Sequence, residues 1–203
     1  MKTALLFLAT ALTLSPLHAA KKEATPPCDR ESGAPGKYSD KSLYQLDTTW
    51  ASDTGKAVKL DVSRDHPVVL AMFFTNCQHS CPTIVADMKA IEAKLSKSAR
   101  EKTDFVLISI DPARDTTTVL SDFRKKHDLN KDHWLLLNGN SDAVKKVADF
   151  TGFKYSAGSE TQYAHSLLVT VLNKKGEVIY QQAGLGVSPV EGAKAVEAEA
   201  SKK

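Results

Sequence analysis

The sequence predicts an α/β domain whose central sheet has parallel members and an antiparallel finish. Three observations point there. Between residues 68 and 152, apolar runs alternate with stretches of helical period, the pattern of consecutive βαβ units. The run Val68-Val69-Leu70-Ala71-Met72-Phe73-Phe74 shows no polar alternation, as expected of a strand covered on both faces. Later, Leu167-Leu168-Val169-Thr170-Val171-Leu172 and Glu177-Val178-Ile179-Tyr180-Gln181-Gln182 flank Asn173-Lys174-Lys175-Gly176, the sequence of an antiparallel hairpin.

The chain divides into three stretches. Residues 1–19 carry Lys2, an apolar run and the end Leu17-His18-Ala19 before Ala20, the parts of a secretory signal expected to be cleaved near Ala19. That run is shorter than the roughly 20 residues of a spanning helix, and no later stretch reaches this length. Residues 20–40, rich in Pro, Gly, Lys and Glu, read as a flexible leader, and 41–203 as one domain without internal repeats. Within that domain, residues 44–50 and 56–60 around Ser52-Asp53-Thr54-Gly55 predict an N-terminal β-hairpin capping an edge of the sheet. After strand 68–74, Pro82, Ile84, Met88, Ile91 and Leu95 predict a helix over about 82–96. Phe105-Val106-Leu107-Ile108-Ser109-Ile110 is a second buried strand, followed by a helix carrying Val119, Leu120 and Phe123, with Asp115 or Thr116 as its cap. Trp134-Leu135-Leu136-Leu137 is the next strand; Ser141 is then the expected cap of a helix ending near Gly152. Ser188-Pro189-Val190-Glu191 has capping-box spacing and Pro at the first helical position, so a last helix runs towards Ala200.

Composition narrows the function. The formal charge is +3, and loss of Lys2 with the signal leaves +2; there is no Lys/Arg block or aromatic array, so nucleic acid is not an expected partner. Export to a periplasmic or similar oxidising compartment permits disulfides, and a dithiol kept for metal there needs a thiol reductant.

The chemistry concentrates in Cys77-Gln78-His79-Ser80-Cys81-Pro82, at the turn between the first buried strand and its helix. A spacing of i and i+4 rises about 6 Å along a helix, within the range a disulfide spans. The pair can therefore close, open, or hold a soft metal. A purely structural staple is the weaker reading, because so short a ring stabilises by only about 2 kcal/mol in the chain-entropy model, and such turns are where reactive cysteines are found. Cys28 stands apart in the leader with little pattern around it. His66, His127 and His133 fall at strand entries or a helix end and read as structural.

Three blocks together carry a family resemblance: Cys77-Gln78-His79-Ser80-Cys81-Pro82, Ser109-Ile110-Asp111-Pro112-Ala113-Arg114-Asp115-Thr116, and Tyr163-Ala164-His165-Ser166 before a strand. In order and spacing the chain from 43 to 184 resembles the Sco/SenC proteins, thioredoxin-like copper proteins that assist assembly of respiratory copper sites. The resemblance implies a thioredoxin-like fold, copper held by Cys77, Cys81 and His165, and delivery of copper or electrons to an acceptor copper protein such as an oxidase subunit; a copper donor protein is a candidate further partner. Two thiolates suit Cu(I), and an added imidazole lets the site accept Cu(II) as well. The same set could hold zinc with water as fourth ligand. Asp111, Arg114 and His79 are candidates for the surrounding shell, and Asp115 shares the Asp111 loop; these groups tune the site, steer a partner, or serve as ion pair, cap and exposed turn residue. Two functions compete: a copper metallochaperone, and a thiol-disulfide oxidoreductase in which Cys77 and Cys81 are the catalytic redox pair that reduces an acceptor's cysteines. Peroxide reduction is a weaker third.

Overall fold

The computed structural model describes residues 25–32, 38–77, 80–159 and 162–202. The signal at 1–19 and His79 lie outside them. Among the described residues, nine strands and five α-helices follow in chain order: β1 (Thr49–Ser52), β2 (Ala57–Lys59), β3 (Val68–Phe73), α1 (Ser80–Lys94), α2 (Lys97–Arg100), β4 (Asp104–Ser109), α3 (Thr117–Lys126), β5 (Trp134–Asn138), α4 (Ser141–Thr151), β6 (Tyr155–Ser159), β7 (Gln162–His165), β8 (Leu168–Leu172), β9 (Val178–Ala183) and α5 (Val190–Ala200).

Seven strands form one mixed sheet in the order β2-β1-β5-β4-β3-β8-β9. The apolar runs occupy its centre: every residue of β3 and β4 is buried, and β3–β4 and β4–β5 are parallel. α1 packs against α5 and rests on β3 and β8, while α3 lies against β5. The expected mixed α/β sheet with an N-terminal hairpin is therefore present. Its β1–β2 hairpin is shorter than the sequence suggests, because Leu43–Gln45 forms a 3-10 turn that buries Leu43 and Tyr44.

Two expected helix starts differ. At α4 the cap is Asn140, whose side chain accepts from Ala143 N–H at 2.8 Å, and Ser141 begins the helix. At α5, Pro189 occupies the capping position in a helical conformation and makes no side-chain cap bond, so the Ser188 capping box does not form. The other end of α4 follows expectation: Gly152 adopts φ +75°, closing the helix in the left-handed conformation that glycine tolerates without strain.

Residues 25–32, within the stretch whose composition suggests a leader, pack on the domain. Arg30 donates to both carboxylate oxygens of Asp104 at 2.5 and 3.0 Å, and Arg64 donates to Glu31 O at 2.7 Å. Cys28 belongs to this segment, beside Asp29 and Thr54. Since Asp104 opens β4, that docking occurs at the edge of the sheet where β3 and β4 begin.

The fit near β5 makes one prediction. A Cβ built on Gly139 would stand 2.5 Å from Cε3 and Cζ3 of the fully buried Trp50 ring. Gly139→Ala is expected to destabilise by about 1–3 kcal/mol through overpacking. Urea unfolding would show a lower midpoint with unchanged slope; an unchanged midpoint would mean that Trp50 moves aside at no cost.

Candidate metal centre

The site grows out of the end of β3. The strand stops at Phe73, and residues 74–77 turn, with Cys77 N–H donating to Phe74 O at 3.3 Å. α1 then begins at Ser80, so the backbone of Cys81 lies in its first turn, ahead of Pro82, which needs no N–H partner there. Cys77 is half-buried and packs against the core; the side chain of Cys81 lies outside the described residues. Cys28 stays at the opposite edge, and burial, as the largest influence, pushes its thiol up.

His165 reaches this edge because β8 runs antiparallel to β3, with Val68 opposite Leu172 and Ala71 opposite Val169. The end of β3 thus faces the start of β8. Just before β8, residues 155–159 and 162–165 pair as a separate two-stranded sheet, β6–β7, in which Tyr155 faces His165. Its base is tied by Ser166, whose N–H donates to Lys154 O at 2.7 Å and whose hydroxyl accepts from Lys154 N–H at 2.8 Å. The first residue of the cysteine turn meets the hairpin directly: the Phe74 ring lies 5.7 Å from the His165 ring in edge contact and 5.3 Å from Tyr163. Phe153, delivered by the Gly152 stop of α4, stacks on the His165 ring at 5.9 Å.

The imidazole has a defined orientation. His165 Nδ1 is 2.8 Å from Ser166 O, and because a carbonyl can only accept, Nδ1 carries the hydrogen. The Nε2 lone pair is then the one a metal would take, the usual arrangement for a ligating histidine.

Asp111 and Arg114 form an ion pair with each other. The Arg114 guanidinium also lies 5.8 Å above the Tyr163 ring, so this loop touches the His165 hairpin through an aromatic contact. Asp115 is not the cap of α3. Thr116 takes that place, accepting from Val119 N–H, while the fully buried Asp115 carboxylate accepts from the Ser109 and Thr75 hydroxyls and from Thr75 N–H. Burial pushes its carboxyl above the usual carboxylate range, and these bonds pull it part of the way back. Among the described residues, no three His, Cys, Asp or Glu side chains converge closely enough to hold a metal.

A model of the SCO1/SenC family matches residues 37–199, most of the chain. The chain belongs to the SCO1/SenC family. A Stutzerimonas stutzeri protein is 26% identical over 128 residues, which are 63% of this chain and 60% of that protein, so this family member spans about three fifths of that relative. ScoI of Bradyrhizobium japonicum, solved with copper bound, superposes with a TM-score of 0.62 at 20% identity, covering 75% of this chain and 96% of ScoI. BsSco, described as having a disulfide switch and as a member of the Sco family of cytochrome c oxidase assembly proteins, gives a TM-score of 0.65 at 21% identity, covering 83% of this chain and all of that one. These likenesses establish the thioredoxin-like Sco fold.

Proposed function

We propose that this chain is an exported copper metallochaperone, which carries copper on Cys77, Cys81 and His165 and hands it to an acceptor copper protein of the respiratory-oxidase kind. The observation that carries this reading is the meeting of the cysteine turn with the His165 hairpin at Phe74, together with a His165 tautomer suited to ligation. Two thiolates and one imidazole form a soft, low-coordinate donor set, favouring copper over hard cations. The copper of Bradyrhizobium ScoI and the assembly role stated for BsSco support the same assignment. Metal loading requires both sulfurs reduced, so a thiol reductant and a copper donor accompany the acceptor as partners. Among the described residues no helix is long and apolar enough to cross a membrane, and the signal-like start favours a periplasmic place of work.

Anaerobic titration of the fully reduced protein with Cu(I), followed by oxidation to Cu(II), tests the assignment. One copper per chain with intense sulfur-to-copper absorption bands is the expected result. If reduced protein forms no such complex, the competing reading gains: a thiol-disulfide oxidoreductase acting on the acceptor's cysteines, which the disulfide switch stated for BsSco favours.

A further inference from the structure

We propose that Asp115 is the positioning residue of this site, fixing Cys77 relative to His165 through Thr75. The inference rests on the copper reading above. Asp115 has no exposed surface, and a buried carboxylate is unfavourable unless donors surround it. Its donors come from two places. Ser109, the last residue of β4, donates its hydroxyl to Oδ2 at 2.5 Å; Thr75 donates its hydroxyl to Oδ1 at 2.5 Å and its N–H to Oδ2 at 3.1 Å. Asp115 is itself held from behind: its N–H donates to Asp111 O at 3.0 Å, and its carbonyl accepts from Asn138 Nδ2 of β5 at 2.8 Å.

The work of these bonds is not to begin α3, because Thr116 already caps that helix. Instead they bolt the turn after β3 to the ends of β4 and β5. That turn carries Phe74 on one side of Thr75, against His165, and Cys77 two residues beyond, so one carboxylate fixes the spacing of a sulfur and an imidazole that are distant in sequence. An outer-shell group of this kind holds ligands in place without touching the metal.

Three variants test this: Asp115→Ala, Asp115→Asn and Thr75→Val, each compared with wild type in the full chain and checked for folding by circular dichroism. Copper affinity is expected to fall about 10-fold to 100-fold in Asp115→Ala, as for other outer-shell losses, with a displaced sulfur-to-copper band. Asp115→Asn keeps one acceptor oxygen for Thr75 N–H and is expected to lose less. Should Asp115→Ala fail to fold, Thr75→Val, which conserves shape and removes one hydroxyl, reads the same coupling. A metal-free arm follows alkylation of Cys77 by iodoacetamide against pH, in reduced protein carrying Cys28→Ser and Cys81→Ser. Folded variants with wild-type affinity, band position and alkylation profile overturn the proposal. If wild type itself binds no copper, the copper reading fails separately, and the alkylation profile alone decides: a displaced profile supports the positioning role and an unchanged one ends it.

Discussion

Replacing His165 by alanine is expected to weaken copper binding by more than the roughly 100-fold typical of outer-shell losses, because the proposed three-ligand site would lose a ligand itself. The remaining two thiolates would still bind Cu(I), so the larger effect falls on Cu(II), with the sulfur-to-copper bands altered or lost. Disulfide exchange should survive, since it needs only Cys77 and Cys81 and their reductant. The two readouts therefore part: titration collapses while thiol exchange with a small dithiol continues. Loss of the ring also opens space between Phe74 and Phe153, which both contact it, so unfolding should be measured alongside. A His165→Ala protein that binds one copper as tightly as wild type, with the same spectrum, would refute the three-ligand site.

Removing Arg30 is expected to give the largest loss of stability, about 3–5 kcal/mol, because it leaves a buried charge without its partner. The Asp104 side chain has no exposure and the Arg30 side chain 15%. His66 Nδ1 stands 3.7 Å from Asp104 Oδ1, but burial, as the largest influence, pushes the imidazole below its usual value, so near neutral pH Arg30 is the compensating cation. The pH dependence follows with a definite sign. Arg30 lowers the His66 pKa and Asp104 raises it, so in Arg30→Ala the folded protein holds the His66 proton to higher pH than wild type does. A folded state that binds an extra proton gains stability as pH falls, so the deficit of Arg30→Ala should be greater at pH 8 than at pH 6. Chemical denaturation at both values measures it. A deficit under about 1 kcal/mol, the range of exposed pairs, would show that residues 25–32 do not hold to the domain in solution.

How far the fold was legible depended on how much of each element's signal was local. β3, β4 and β5 announce themselves as apolar runs because burial on both faces leaves no room for polar residues. β6 and β7 do not: Tyr-Ser-Ala-Gly-Ser has no apolar alternation, and the hairpin stands outside the main sheet, held by rings contributed from elsewhere. The caps differ from expectation for a related reason. Asn140 and Ser141 are neighbours with equal capping chemistry, as are Asp115 and Thr116, and the choice between them is made by what lies across the interior. For Asp115 that is Thr75, forty positions earlier. Of the site, the cysteine spacing was plain in the sequence, and His165 emerged through the family resemblance. The contact that joins their segments, Phe74 against His165, requires the β3–β8 register and could not be read from either segment alone.

Arg30 grips the edge where β3 and β4 begin, and Cys77 lies beyond the edge where β3 ends. The six residues of β3 separate the two by about 20 Å. Thr25, whose carbonyl accepts from Arg30, therefore stands at the edge remote from Cys77 and from the Phe74–His165 contact. On the proposed function, an acceptor that approaches Cys77 meets an edge that residues 25–32 leave uncovered.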